Sequence, residues 1–122
     1  MKSLTIIGCW AVTSLFPLTA LAQTQGEMNH LAREDFAEAD KELNKVYQQL
    51  LSKIDKESQG KLKIAQRNWI AFRDSQADLF ADFAARGGTM FPTLYQSERA
   101  SITTTRTEEL KKLLKEFEEL GQ

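Results

Sequence analysis

Apolar residues along the first half of the chain recur at steps of three and four. From Leu31 to Ile54 they fall at Ala32, Phe36, Ala39, Leu43, Val46, Leu50 and Ile54, the spacing that turns one face of an α-helix toward a core. Glu34, Glu38, Lys41, Glu42 and Lys45 lie largely elsewhere on that helix. Asp55-Lys56-Glu57-Ser58-Gln59-Gly60 then breaks the pattern with turn formers, so a short connection is expected to lead into a second helix antiparallel to the first. There Leu62, Ala65, Trp69, Phe72, Leu79 and Phe83 repeat the spacing. This helix is expected to stop near Arg86, because Gly87-Gly88 can supply a left-handed C-cap.

"GGTMFPTLY", Gly87 to Tyr95, has no helical period and carries Met90, Phe91, Leu94 and Tyr95 beside Pro92. It reads as an apolar loop that either packs over one end of the fold or meets a partner. Thr93-x-x-Gln96 resembles a capping box that starts a last helix, whose inner face is marked by Thr103, Arg106, Leu110, Leu113, Phe117 and Leu120. No stretch alternates in the manner of a strand. The pattern predicts an all-α fold: a small antiparallel helical bundle of three main helices with an apolar loop before the last.

The N-terminus changes the picture of what is folded. Lys2, the mostly apolar run Leu4 to Leu21 and Ala20-Leu21-Ala22 read as a signal peptide, residues 1–22, cleaved before Gln23. Thr13, Ser14, Pro17 and Thr19 interrupt the run, against a membrane anchor. Ile6-Ile7-Gly8-Cys9 has the look of a lipobox, but the apolar stretch lies mostly after it. Residues 23–122 form a single domain expected in the periplasm or outside the cell, with no membrane span.

Cleavage also removes Cys9, the one cysteine of the 122-residue chain, which leaves no disulfide and no thiol chemistry. The whole chain has 16 Lys and Arg against 17 Asp and Glu; without Lys2 the net charge is −2. With no basic excess, nucleic acid is not an expected partner.

Candidate chemistry centres on "AQRNWIAFRD", Ala65 to Asp74. Gln66 and Arg73 are seven apart, and Arg73 borders the apolar face one turn after Trp69. A guanidinium there needs partners, since an unpaired buried charge costs several kcal/mol. Asp40 and Asn44 on the first helix, and Thr103 and Arg106 on the third, are the candidates. The expected arrangement is a network in which Asp40 pairs with Arg73 or Arg106 while Asn44, Gln66 and Thr103 complete the hydrogen bonds. This is a structural seam that fixes helix register, as opposed to a catalytic centre. The exported chain has a single His, His30, near a helix start, and Asp78 and Asp82 form an unremarkable pair four apart. His30 and Glu34 are two potential metal ligands without a third. No enzyme activity, metal or cofactor is implied.

Three ordered motifs carry a resemblance: "EADKELNKVYQQLL" (Glu38 to Leu51), "LKIAQRNWIAFRD" (Leu62 to Asp74) and "TTTRTEELKKLL" (Thr103 to Leu114). Together they resemble the bacterial family named for the N-terminal domain of the lysozyme inhibitor LprI. The resemblance implies an exported helical protein of the periplasm or envelope, and it implies lysozyme inhibition as a possible role. The matching positions are Asp40, Leu43, Asn44, Tyr47, Gln66, Arg67, Trp69, Arg73, Asp74, Thr103, Arg106 and Leu110. It also implies cysteines where this chain has Leu31, Ala77 and Glu98. Two functions are expected on this footing. One is a binding protein whose partner is a c-type lysozyme, met by Met90, Phe91, Leu94 and Tyr95 with nearby acidic residues. The other is a non-inhibitory envelope module that associates with itself or another helical protein.

Overall fold

The computed structural model describes residues 18–121 and contains three helices: α1 (Leu18–Lys53), α2 (Lys56–Ala85) and α3 (Phe91–Glu119). No strand occurs among the described residues, as the hydrophobic period predicts. The expected signal segment lies mostly outside them, and Cys9 with its lipobox-like surroundings lies wholly outside.

Side-chain contacts fix the helix directions. Gln25 bonds Thr89 and Asn29 bonds Thr93, each 64 residues apart, while Lys53 pairs with Glu118 at 65. A constant offset means that α1 and α3 run parallel. Asp40 meets Arg73, and Asp74 meets Arg99, so α2 runs antiparallel to both. α3 packs closely along each of the others, whereas the backbones of α1 and α2 scarcely approach. The last helix is therefore the central one.

The core divides along its length. Near the α1–α2 connection Leu43, Val46, Leu50, Leu62 and Leu110 are buried, with Tyr47, Leu51, Ile54, Trp69 and Leu114 packed against them. Toward the other end the buried positions are Ala32, Arg73, Ala77 and Ala81, with Thr103 and Thr107 on α3 between them and the aliphatic core. Small side chains let helices close without large apolar groups.

Boundaries differ from the periodic reading in three places. α1 begins earlier than Leu31, because its N-terminal turns are tied to the start of α3 by Gln25 and Asn29, polar contacts that no hydrophobic period reveals. α2 begins at Lys56, not after Gly60: the Asp55 carboxylate accepts from the Ser58 N–H at 2.7 Å and caps the helix. That hydrogen bond holds the Asp55 carboxyl below the usual carboxylate value.

α3 starts at Phe91, so of the expected loop Gly87 to Tyr95 only residues 87–90 lie outside the helix, and Met90 is the one apolar side chain among them. Pro92 sits in its first turn, where the missing N–H costs nothing. Thr93 is not a cap; its hydroxyl donates to Asn29 Oδ1.

The inner face of α2 is rotated from the expected one. Leu62 is buried, but its companions are Gln66, Arg73, Ala77 and Ala81, while Phe72, Leu79 and Phe83 are 56%, 46% and 78% exposed. On α3, Thr103 and Leu110 are buried as expected, yet Leu113 and Leu120 face solvent. The buried stripe carries Ala77 and Ala81, small enough for α2 to close on α3, and brings Arg73 to its carboxylate partners.

Two glycines give opposite expectations. Gly87 follows the C-cap Arg86 with φ +66°, a left-handed conformation that costs an L-residue about 1 kcal/mol. Gly60 lies within α2, and a Cβ there meets nothing within 4 Å. Gly87→Ala is expected to lower unfolding free energy by about 1 kcal/mol and Gly60→Ala to raise it by about 0.5 to 1 kcal/mol in urea titrations.

Candidate functional site

Arg73 is the most deeply buried charged residue described, at 5% exposure. Its Nε donates to Asp74 Oδ1 at 2.8 Å, and its Nη1 lies 3.7 Å from Asp40 Oδ1. The guanidinium also lies over two rings, Phe36 at 5.0 Å and Trp69 at 5.2 Å from their centroids. Each such contact contributes on the order of 1 kcal/mol when desolvated. The charge is thus held by a carboxylate on its own helix, a second on α1 and two aromatic faces.

A second arginine completes the arrangement. Arg99 Nε donates to the same Asp74 Oδ1 at 2.9 Å, and its guanidinium stacks on Phe36 at 3.9 Å and Tyr95 at 5.3 Å. Its Nη1 donates to Gln96 Oε1 at 3.1 Å. Asp74 therefore bridges α2 to α3, and Phe36 of α1 carries both guanidinium groups. Burial raises the Asp74 carboxyl, but the hydrogen bonds from Arg73 and Arg99 outweigh it and hold the group below the usual carboxylate value.

A third arginine, Arg106, donates through Nε to Gln66 Oε1 at 3.3 Å and through Nη1 to Glu109 at 2.9 Å. It stands 6.0 Å from the Trp69 centroid.

Of the residues singled out from sequence, the fold brings Asp40 to Arg73, Asn44 to Asp40 at 3.4 Å, and Gln66 to Arg106. Thr103 is completely buried, and its hydroxyl oxygen makes no hydrogen bond among the described residues. Asp74, Arg99 and Phe36 were not placed in the network by sequence reasoning. The signal for Arg99 was its separation of seven from Arg106, which puts both on one face of α3.

Met90, Phe91, Leu94 and Tyr95 are all half-buried, and Phe91 stacks on Tyr95 with centroids 6.2 Å apart. His30 pairs with Glu34 at 3.1 Å on the surface. Among the described residues no three His, Cys, Asp or Glu side chains converge as metal ligands, and no helix is long and apolar enough to cross a membrane.

Where α1 and α2 diverge they leave an open cleft of about 400 Å³. Asp40, Leu43, Asn44 and Tyr47 line one wall, and Lys63, Gln66, Arg67 and Ile70 the other. At the far end a smaller apolar groove of about 290 Å³ runs between Leu50, Ile54, Leu62, Leu113, Phe117 and Leu120. The arrangement offers recognition surfaces and a charge-bearing seam.

Geometry ranks the two carboxylates of the seam. Asp74→Ala removes two short charge-assisted bonds and is expected to cost about 1.5 kcal/mol or more, whereas Asp40→Ala, at a longer distance, is expected to cost less than about 1 kcal/mol. Urea unfolding of both variants checks the order.

The sign with pH follows from the lowered Asp74 carboxyl. Its contribution is complete above the ordinary carboxylate value of about 3.9 and disappears as pH falls through the lower folded value. The gap in unfolding midpoint between the parent and Asp74→Asn is therefore expected to narrow below about pH 4.

Comparison with known proteins places these features in a family. The family model described as "Lysozyme inhibitor LprI" matches residues 19–110, which span α1, α2 and most of α3. An uncharacterized protein of Rhizobium meliloti (strain 1021) is 40% identical over 110 residues, covering 80% of this chain and 78% of that protein. No solved structure matches significantly. With its three helices inside the matched region, the chain belongs to the lysozyme inhibitor LprI family.

Proposed function

We propose that the protein is exported through cleavage before Gln23, resides in the periplasm or outside the cell as a single domain, and binds a c-type lysozyme so as to slow it. It acts by occupying a surface and not by catalysis. Family membership supports the partner, and one observation supports a surface for it. Phe72, Leu79 and Phe83 lie within about 40° of one another around α2 by helical spacing, and all three are exposed. Large aromatic and aliphatic side chains in one exposed row are the usual anchors of a protein interface.

Asp78 and Asp82 adjoin this row in sequence, and a net charge of −2 complements a cationic lysozyme, adding modest steering. Met90, Phe91, Leu94 and Tyr95 form a weaker surface, because each is half-buried. The same α2 row would serve a self-associating envelope module, the second reading. A solution mass that rises with concentration in the absence of lysozyme favours that reading.

Protein expressed from the full sequence and purified is the material for the test, with its intact mass reporting whether the chain begins at Gln23. Calorimetry against a c-type lysozyme at low and moderate salt, with a turbidity assay of lysis, is expected to show binding and slowed lysis. Phe72→Ser with Phe83→Ser is expected to weaken binding at least tenfold with helical content unchanged. Unchanged affinity removes the α2 row from the interface, and absence of parent binding contradicts the inhibitor reading itself.

A further inference from the structure

One stripe of α2 is almost free of charge. By helical spacing Ile64, Phe72, Leu79 and Phe83 fall within about 100° of one another, and all four are exposed. Asn68, Ser75 and Gln76 fill positions between them and are exposed as well. In a chain of which 27% is charged, the stripe from Ile64 to Phe83 holds a single charge, Asp82 at its edge. The Arg86 guanidinium already bonds that carboxylate.

The spacing along the stripe is the same from either end. Phe72, Gln76, Leu79 and Phe83 follow at steps of four, three and four, the steps by which facing helices interdigitate. An antiparallel copy of α2 therefore sets Phe72 opposite Phe83 of the second copy, and Gln76 opposite its Leu79. Such pairing is isologous: each copy uses the same patch, and a two-fold axis passes between positions 77 and 78. A stripe without free charge meets its own copy with no like charges opposed, and the phenylalanines at both ends supply aromatic contacts. About 28 Å long and one helix wide, the contact is smaller than the roughly 800 Å² per partner of a standard interface. The pair is accordingly in exchange with monomer as concentration changes.

We infer that a second copy of this chain covers the α2 stripe in an antiparallel, two-fold pair. The pair rests on the reading of this row as an interface, and supplies its occupant when no lysozyme is present. Pair and lysozyme complex use the same side chains, so each excludes the other. Displacement of the second copy by lysozyme, or its persistence, separates the two readings of the row.

Protein expressed from the full sequence is purified, and its mass is followed by sedimentation equilibrium without lysozyme from about 1 μM to about 1 mM, the range of weak association. The mass is expected to rise toward that of two chains and to stop there, because a two-fold pair is closed. Gln76→Lys brings a charge from each copy close to the axis and is expected to hold the mass at one chain throughout, with helical content unchanged. Phe83→Ser is expected to do the same, whereas Arg67→Gln, on the cleft side of α2, leaves the pair intact. A single-chain mass for the parent at the highest concentration, a mass that climbs beyond two chains, a pair that survives in Gln76→Lys, or one lost in Arg67→Gln would each overturn the assignment. Lysozyme binding is read separately. A parent that pairs but ignores lysozyme contradicts the inhibitor reading and leaves the pair standing; one that binds lysozyme and never pairs contradicts the pair alone.

Discussion

A guanidinium that is nearly removed from water governs the arrangement of this bundle. Arg73 is 5% exposed. Buried without partners it would cost several kcal/mol, so its interior position depends on the groups that surround it. α2 is turned so that Arg73 lies over the Phe36 and Trp69 rings and bonds Asp74. Ala77 and Ala81 follow it into the interior. Phe72, Leu79 and Phe83 are carried outward by the same rotation.

The consequences reach all three helices. Asp74 also receives Arg99, and Phe36 carries both guanidinium groups, so one cluster joins α1, α2 and α3 at a single level. Below it an aliphatic core of Leu43, Val46, Leu50, Leu62 and Leu110 supplies the hydrophobic stabilisation. Above it the helices close on Ala32, Ala77 and Ala81. α3 fills the space between the other two, and α1 and α2 stay apart, which opens the polar cleft. Cys9 is the sole cysteine, so no intramolecular disulfide can tie the helices together. Packing and the arginine seam must do so.

Much of the fold was legible because burial imposes a period. On α1, from Ala32 to Ile54, every predicted inner position is buried or half-buried. α2 was harder to read because two stripes compete on it. Phe72, Leu79 and Phe83 follow helical spacing as well as Gln66, Arg73, Ala77 and Ala81 do, and hydrophobicity alone selects the wrong one. The stripe that faces inward is the one whose alanines let the helices approach closely and whose arginine finds carboxylates on α1 and α2. Asp40, Asn44, Gln66, Arg73 and Arg106 could be nominated from spacing and polarity, but the sharing of Asp74 by two arginines depends on the approach of α3 and has no local signature. Pro92 misled for a related reason: before a helix start and within its first turn it has the same sequence appearance.

Asp74 and Arg99 lock α2 to α3 through the seam. A double-mutant cycle with Asp74→Ala, Arg99→Ala and their combination, read by urea unfolding, measures that coupling directly. An interaction energy of about 1 kcal/mol or more is expected. Additive losses, with a coupling within about 0.3 kcal/mol of zero, would mean that the two residues stabilise the fold separately and that the seam does not join the helices.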